Sequence, residues 1–306
     1  MKHLRTIELI NIVASVGSIR KAAEEAFITP SALHRRIQAF ELELGCEIFE
    51  RISTGVRLNS AGELVVNYFR QQLSESERLK SNVAALTGLR TGQINVACSQ
   101  ALTSFFLPYE ISKFRKLFPG VSFNVLALDH VEAEKALSDF TVDIALIFEI
   151  YPSSEIDVIL GAEQTICAVM ASDHPLAAND RIRLWQCLDF PLALPFNSFR
   201  TLSLLKKAAI KKSITLEPDI ESNSFEFLIN YVANERSITF QIPLGIPKKI
   251  YDKRIISIPV SERDVAPGAL YLVQKKGRTL PVPAAKFANQ LVETLTRDFD
   301  ILQSTK

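Results

Sequence analysis

The chain has 306 residues, of which 47% are hydrophobic and 23% charged, so it can form two or three compact units with sizeable cores. This composition excludes disorder over most of the chain, and 11 Gly and 14 Pro spread thinly exclude collagen-like or low-complexity architecture. The 35 basic and 34 acidic residues give a net charge of +1, which excludes a uniformly basic protein but allows a local basic face.

The cysteines and the first residues indicate the compartment. Cys46, Cys98, Cys167 and Cys187 show no CxxC or CxxxH spacing, which argues against a zinc module and a disulfide scaffold. The opening residues MKHLRTIELI lack the pattern of a signal peptide, and no charge-free apolar run is long enough to span a membrane. We therefore expect a cytoplasmic protein without a membrane span, a metal site or a cofactor.

The first 58 residues are predicted to form short helices separated by tight turns. Apolar residues between positions 4 and 13 give the first helix one face, and Ser18 can cap a second helix. Thr29 then offers an N-cap hydroxyl, Pro30 fits the first position of a third helix, and Gly45 ends that helix.

The third helix carries two different faces. Its apolar stripe is continuous over three turns and consists of Leu33, Ile37, Phe40 and Leu44. A polar, cationic face lies near the helix N-terminus, whose dipole also favours phosphate; it consists of Ser31, His34, Arg35 and Gln38. The pattern is typical of a helix that packs on one side and binds a polyanion on the other.

Residues 48–58 predict a small hairpin, or wing, and basic residues concentrate near it. The basic residues of this part lie around the second helix, the start of the third helix and the wing: Arg20, Lys21, Arg35, Arg36, Arg51 and Arg57. For Arg51, an ion pair with Glu47 or Glu50 is an alternative to a nucleic-acid contact. A balanced total charge can thus conceal a polarised module.

A long helix is predicted to follow. Ser60 and Glu63 fit a capping box, and no proline occurs from there to Leu86. The apolar edge of this helix is narrow, which is typical of a helix that packs on a copy of itself. Residues 88–92 are interpreted as a linker.

From Gln93 onward, short β-rich runs alternate with helices, which predicts an α/β class with mainly parallel, doubly wound sheets. The predicted strands lie at 94–98, 121–128, 142–148, 165–170, 192–194, 214–216, 238–240 and 270–273. The simplest architecture that fits this pattern has two α/β lobes with a cleft between them.

Polar residues that follow the predicted strands are candidates for binding a small molecule in this cleft. The main candidates are Ser99, Gln100, Thr103, Phe196, Asn197 and Ser198, and weaker ones are Phe148, Asn223, Ser224, Thr239, Phe240 and Gln241. Hydroxyls and helix amides favour a small carboxylate, with an apolar or aromatic body against the Phe residues. Helix capping alone would also explain Ser99, Ser198 and Ser224.

The segment GSIRKAAEEAFITPSALHRRIQAFELELGCEIFER (Gly17 to Arg51), followed by VRLNSAG, resembles the LysR-type transcriptional regulators. Leu107-Pro108, Asp143-Ile144-Ala145-Leu146 and Asp173-His174-Pro175-Leu176 also match this family, so the resemblance covers the whole chain. It implies a winged helix-turn-helix domain over 1–58, a dimerising linker helix over 59–89 and a periplasmic-binding-protein-like effector domain over 90–306. Lobe I of that domain is expected at about 93–162 and 267–300, and lobe II at about 163–266.

The resemblance also implies a function, namely control of transcription by a DNA-binding protein that responds to a small-molecule effector. The implied partners are double-stranded promoter or operator DNA, the effector and further copies of the chain in a homodimer or homotetramer, with RNA polymerase as a further candidate. The expected DNA-contact residues are Thr29, Pro30, Ser31, His34, Arg35, Arg36, Gln38, Arg51 and Arg57. His34 replaces the usual Ser on the recognition face, which alters the operator, and Phe40 replaces the usual Leu, which alters packing.

Two other classes of protein, and one other kind of signal, compete with this interpretation. An α/β enzyme with a helical appendage is disfavoured because GxGxxG, GxSxG, GxxxxGKS/T and HExxH are all absent, so no enzyme activity is expected. A periplasmic solute-binding protein would explain the two lobes but not the first 90 residues. Cys98 beside the cleft raises a thiol-sensing hypothesis, for which a buried, inert thiol is the alternative.

Overall fold

The computed structural model describes residues 2–86, 91–150, 155–196, 200–246 and 254–302. The chain forms two compact units, residues 1–80 and 81–306. One long helix, α4, continues from the first unit into the start of the second.

The first unit is a three-helix module with a hairpin and the start of the long helix. Its elements are α1 Lys2–Val16, α2 Ile19–Glu25, α3 Pro30–Leu44, β1 Phe49–Ile52, β2 Gly55–Leu58 and α4 Ser60–Leu86. Both α3 and the hairpin occur where the sequence predicts them.

Three residues of the predicted apolar stripe of α3 face the core of this unit, whereas the fourth, Leu44 at the last position of the helix, is 41% exposed. Leu33 and Ile37 are buried among the apolar residues of α1 and α2. Phe40 packs edge to face on Phe69 of α4, with 5.3 Å between the ring centroids. The larger ring at position 40 therefore affects packing.

The cap of α4 differs from the prediction. Asn59 caps the helix, because its Oδ1 accepts a hydrogen bond of 2.8 Å from the Gly62 amide. The predicted capping box between Ser60 and Glu63 is therefore wrong, because the N-cap is one residue earlier. The side-chain oxygen of Asn59 accepts from a backbone amide of the first helical turn that would otherwise have no partner. Asn59 also donates to the Glu47 carbonyl, which ties the helix start to the hairpin.

The second unit alternates strands and helices in two lobes. The elements of its first part are β3 Thr91–Cys98, α5 Phe106–Leu117, β4 Gly120–Ala127, α6 His130–Ser138, β5 Ile144–Phe148, β6 Ile156–Gln164 and β7 Cys167–Ala171. Those of its second part are β8 Ala193–Pro195, α7 Arg200–Lys211, β9 Ile220–Ser222, α8 Phe225–Val232, β10 Thr239–Gln241, β11 Ile255–Pro259, β12 Gly268–Lys275, α9 Val282–Asp298 and β13 Ile301–Leu302.

Lobe I is built on a six-stranded sheet with the order β13-β6-β12-β5-β3-β4. Its strands β4, β3 and β5 are parallel, whereas β12 is antiparallel to both of its neighbours and β13 is antiparallel to β6. The prediction of a mainly parallel sheet is therefore wrong for this lobe, because β12 returns from lobe II and inserts between β5 and β6.

Lobe II contains a three-stranded sheet of order β10-β7-β11 and the parallel pair β8-β9. Both β10 and β11 run antiparallel to β7. The predicted strand at 214–216 is wrong, since the partner of β8 begins at Ile220 instead. A run of β-branched residues forms a strand only where a partner edge is within reach.

The chain crosses between the lobes twice, from β6 to β7 and from β11 to β12. Buried apolar residues of both lobes belong to one continuous core. The short 3-10 turn Gln100–Leu102 follows β3 directly, so it lies at the carboxyl end of a parallel strand. In open α/β sheets this end is where ligands bind.

Candidate nucleic-acid interface and effector cleft

The N-terminus of α3 is capped as the sequence predicts. Thr29 has extended backbone angles, and its Oγ1 accepts a hydrogen bond of 3.2 Å from the Ala32 amide. Pro30 occupies the first turn, and Ser31 Oγ lies 3.2 Å from Thr29 Oγ1. Gly45 ends the helix with φ +83°, a conformation that favours glycine.

The polar face of α3 is open to solvent. Ser31, Arg35, Arg36 and Gln38 are exposed, as are Thr29 and Pro30, whereas His34 is half-buried. On the opposite side, Leu33 and Ile37 fix the rotation of the helix through their burial. Most of the residues of the α3 region that are predicted to contact DNA are therefore accessible from solvent.

The cations of this surface differ in their partners. Within the described residues, no carboxylate lies within ion-pair distance of Arg35, Arg36 or Arg51. Arg57 instead pairs with Glu50, its cross-strand neighbour in the wing. The ion pair considered for Arg51 is therefore formed by Arg57, and because both partners are largely exposed, the pair contributes little to stability.

The wing is anchored to the turn between α1 and α2. The Val56 amide donates a hydrogen bond of 2.9 Å to the Gly17 carbonyl. A Cβ at Gly55, which has φ +147°, would lie 2.2 Å from the Gly17 oxygen. Only glycine allows this approach, which holds Arg51 and Arg57 in the wing at a fixed place in the module.

A cavity of about 280 Å³ lies between the two lobes of the second unit. Four of the predicted effector residues line it: Ser99, Gln100, Phe148 and Asn223. The remaining lining residues are Ala127, Leu128, Asp129, His130, Glu132, Ile147, Arg200, Thr201 and Phe225. The cavity thus has apolar and aromatic walls with several polar groups, as is typical of a small-molecule site.

Several predicted effector residues are not brought to this cavity. The Thr103 hydroxyl donates to the Gln100 carbonyl at 2.8 Å and closes its own turn. Thr239 and Phe240 lie in the short strand β10, are almost completely buried, and are not part of the cavity wall. Phe196 is 45% exposed and is not a lining residue either.

Two further candidates, Asn197 and Ser198, lie outside the described residues. Ser224 caps α8, since its Oγ accepts from the Phe227 amide at 3.2 Å, so the capping explanation is confirmed for this residue. Ser99, in contrast, makes no side-chain cap bond to the turn that it precedes. Its hydroxyl is thus the better candidate for a ligand contact.

The main residues that the sequence did not indicate are His130 and Arg200. They come from different lobes, and Arg200 Nη2 lies 2.8 Å from His130 Nε2. Arg200 can only donate, so His130 Nε2 accepts and the proton of the neutral ring is on Nδ1. Burial, with a smaller effect of Arg200, lowers the pKa of His130, which favours this neutral form.

His130 is the first residue of α6. The sequence did contain a local signal for this helix start, because Asp129 and Glu132 form a capping box. The carboxylate of each residue accepts a hydrogen bond from the backbone amide of the other. Both lining carboxylates are therefore engaged by backbone amides at the helix N-terminus. No comparable local signal marks Arg200.

A second hydrogen bond joins the lobes beside the cavity. The Phe225 amide, at the start of α8, donates to Gln100 Oε1 at 3.2 Å. Residues 99 and 100, predicted from strand position alone, thus lie at the junction of the lobes. A ligand in the cavity would contact both lobes at once.

The buried thiols support the inert alternative. Burial raises the pKa of Cys98 and of Cys187 to about 12, and that of Cys167 to about 11. Since the thiolate is the reactive form, these groups are poor nucleophiles. Cys46 is exposed and lies in the first unit, just after α3.

In the part of the chain that the structure describes, no group of three or more His, Cys, Asp or Glu side chains is arranged to hold a metal ion. Among the same residues, no helix is both long enough and apolar enough to cross a membrane.

Comparison with known proteins agrees with both parts of this architecture. The family described as "Bacterial regulatory helix-turn-helix protein, lysR family" matches residues 4–63, and "LysR substrate binding domain" matches residues 87–296. A probable nitrogen assimilation transcriptional activator of Synechocystis sp. is 27% identical over 301 residues, which cover 95% of this chain and 96% of the relative.

Two solved structures share the fold. A full-length OxyR variant from Pseudomonas aeruginosa gives a TM-score of 0.73 at 18% identity, over 99% of this chain and 98% of that chain. The effector-binding domain of QuiR in complex with shikimate gives a TM-score of 0.57 at 15% identity, over 69% of this chain and 100% of that chain.

The fold and the two sites define a DNA-binding regulator with an effector domain. The chain belongs to the LysR family of transcriptional regulators. Members of this family are not enzymes; they bind DNA and small-molecule effectors and form oligomers, so DNA, an effector and further copies of the chain are its partners.

Proposed function

We propose that this protein recognises its operator with the polar face of α3 and holds the duplex with the wing. Ser31, His34, Arg35 and Gln38 would face base edges in the major groove, with Arg36, Arg51 and Arg57 on phosphates. The observation that carries this proposal is the exposed position of Arg35 on that face, with no carboxylate partner among the described residues. Arg in this position can contact guanine with two hydrogen bonds.

The effector is a small carboxylate that binds in the cleft between the lobes. Arg200 and the Ser99 hydroxyl supply donors for the carboxylate, and Phe148 and Phe225 supply an apolar wall for the body of the ligand. The volume of about 280 Å³ suits a small molecule. The QuiR domain, which shares the fold, has been solved with shikimate, a hydroxylated carboxylate.

Effector binding is transmitted because the cavity wall comes from both lobes. A ligand that contacts Ser99 on one lobe and Arg200 on the other favours one angle between the lobes. In an oligomer, this angle sets the spacing of the DNA-binding units. The effector thereby changes operator occupancy without touching DNA.

The long helix α4 serves as the dimerising element. Leu64, Tyr68, Leu79 and Val83 are large apolar residues that remain exposed along it. Exposed apolar residues spread along one helix are typical of a helix that packs on a partner. The proposal also includes a cytoplasmic location and three domain limits, namely a DNA-binding domain over 1–58, a linker helix over 59–89 and an effector domain over 90–306.

Two measurements test this function. Footprinting of the purified protein on DNA upstream of its own gene should show a protected site, and the absence of any protection would contradict operator recognition. A thermal-shift screen of small carboxylates, each paired with its neutral amide, tests the ligand class. We expect stabilisation by a carboxylate only, and equal shifts with its amide would contradict the proposal.

Arg200→Gln and Arg181→Gln form a matched pair for the screen. Arg181 is an exposed arginine of the same lobe that pairs with Glu262 and does not line the cavity. Arg200→Gln should abolish the shift while Arg181→Gln retains it. Retention of the shift by both variants would exclude Arg200 as the anchor.

A further inference from the structure

One aromatic residue beside the DNA-binding surface has no role inside its unit. Phe27 lies in the turn between α2 and α3 and is 95% exposed. Its φ is +54°, in the left-handed region that is unfavourable for a residue with a Cβ. At the position after a helix C-cap, Gly or Asn is the usual choice.

The backbone around Phe27 is held firmly. The Phe27 amide donates to the Glu24 carbonyl at 3.2 Å, and the Ile28 amide donates to the Ala23 carbonyl at 3.0 Å. Arg5 Nη2 also donates to the Ala26 carbonyl at 3.4 Å. The ring is thus presented from a fixed turn, and little ordering of the backbone is needed when it meets a partner.

The position of Phe27 in the chain identifies the partner. It is two residues before Thr29, the N-cap of α3, and continues the exposed surface of Thr29, Pro30 and Ser31. In helix-turn-helix proteins the N-terminal residues of the second helix enter the major groove, while the first helix crosses the backbone. The turn that joins the two helices therefore passes beside one strand at the edge of the groove.

The charges near Phe27 indicate which part of the strand it meets. Glu24 and Glu25 are exposed at the end of α2, and Glu24 pairs with Arg20 at 3.5 Å. Carboxylates disfavour a phosphate oxygen next to this turn. The apolar part of the backbone is the deoxyribose, and the flat face of an aromatic ring matches its C–H surface.

We propose that Phe27 is a DNA-contact residue whose ring packs on a deoxyribose at the edge of the major groove. The proposal rests on the placement of α3 in that groove under the proposed function. It adds a contact that is apolar and independent of sequence, unlike those of the arginines. Such a contact increases affinity for every duplex by the same factor.

The test compares Phe27→Asn with two controls in the full-length protein. Asn tolerates the left-handed conformation, so the unfolding temperature should stay the same or rise. Phe27→Tyr keeps the ring and should keep the affinity. Leu42→Asn removes another large apolar side chain, 86% exposed and near the far end of α3, and should leave DNA binding unchanged.

Fluorescence anisotropy is measured with the footprinted duplex and with a scrambled duplex over a salt series. We expect Phe27→Asn to raise the Kd about fivefold to tenfold on both duplexes, since the ring is only partly buried in the complex. The salt dependence should be unchanged, because an apolar contact releases no counterions. Loss on the footprinted duplex alone, or a smaller salt slope, would overturn the deoxyribose contact.

The remaining outcomes are also decisive. If the wild-type protein binds DNA and Phe27→Asn binds as tightly, the Phe27 contact is refuted while the proposed function stands. If the variant loses unfolding temperature together with affinity, the residue is structural and the proposal is overturned. If the wild-type protein binds no duplex, both proposals fail.

Discussion

Asp264 offers a quantitative test of how lobe II is held together. Its side chain is 2% exposed, and it accepts hydrogen bonds from Arg183 Nε at 2.7 Å, Arg183 Nη2 at 2.8 Å and the Leu184 amide at 3.0 Å. Lys212 Nζ lies 3.0 Å from the same carboxylate. The group therefore joins the end of α7 and the turn before β8 to the segment that leads back to lobe I.

Asp264→Asn removes the charge while it keeps the shape. The amide NH₂ would then face Arg183 Nη2 and Lys212 Nζ, so two charge-assisted hydrogen bonds become contacts between donors. Each such bond contributes about 1.5–3 kcal/mol. Since the two cations are 40% and 38% exposed and regain water, we expect a net loss of about 2 kcal/mol in the free energy of unfolding.

The assay can use the single tryptophan of the chain. Trp185 lies in the 3-10 helix Leu184–Asp189, next to Leu184, so its fluorescence reports unfolding of this region. For a unit of this size, a loss of about 2 kcal/mol lowers the unfolding temperature by about 4–8 °C. Glu262→Gln is the matched control, because the neighbouring Arg181–Glu262 pair is about half exposed and should have little effect.

The pH dependence of the stability difference between the wild type and Asp264→Asn provides a second test. Arg183 is the main cause of the lowered pKa of Asp264, with Lys212 and the Leu184 amide acting in the same direction. A carboxylate with a lowered pKa stabilises the fold above its unfolded pKa of about 3.9, and the benefit is lost as the pH falls below that value. The difference in the free energy of unfolding between the wild type and Asp264→Asn should therefore be largest at neutral pH and decrease below about pH 4. Equal unfolding temperatures for Asp264→Asn and Glu262→Gln at neutral pH would refute the reasoning.

Three further predictions concern the DNA-binding unit and the cleft. Arg35→Ala should weaken specific binding about 5- to 150-fold and relax base preference, whereas Arg36→Ala should weaken binding to all duplexes and reduce the salt slope by about one. Fluorescence anisotropy over a salt series measures the affinity and the salt slope of both variants. If Arg35→Ala lost as much affinity for scrambled DNA as for the specific site, base recognition by Arg35 would be contradicted. Gly62→Ala should lower the unfolding temperature of the first unit, because its Cβ would lie 2.0 Å from the Ile48 carbonyl oxygen; an unchanged melting curve would argue against this close approach. The affinity for a carboxylate found in the screen should rise as the pH falls below 6.5, since the pKa of His130 is lowered from that value and its protonation adds a cation to the cleft. His130→Gln should abolish the dependence in calorimetry, and the same pH profile in both proteins would disprove it.

The sequence by itself determined the features that depend on neighbouring residues. The start of α3 at Pro30, its Thr29 cap and its end at Gly45 follow from local backbone and capping preferences, and the structure confirms all three. The same holds for the apolar stripe of Leu33 and Ile37, because helical periodicity fixes which residues share a face. Ser99 and Gln100 were predicted from their place after a strand, and both line the cleft.

The features that the sequence missed depend on contacts between distant segments. His130 and Arg200 are 70 positions apart in the chain and meet only because the two lobes face each other in the folded unit. The strand that contains Thr239 was correctly predicted, but its side chain is buried within lobe II and does not line the cavity. Likewise, a strand was expected at 214–216, whereas pairing with β8 selected Ile220–Ser222.

Local propensity therefore decided where most elements begin and end, and tertiary structure decided which of them became neighbours. The physical reason is that caps, turns and helix faces are set by interactions over a few residues, whereas strand pairing and lobe closure depend on burial summed over the whole unit. The surface that we propose to bind DNA lies mainly on α3, so it could be predicted from the sequence. The cavity that we propose to bind the effector is lined by residues of both lobes, so it could be located only in the folded structure.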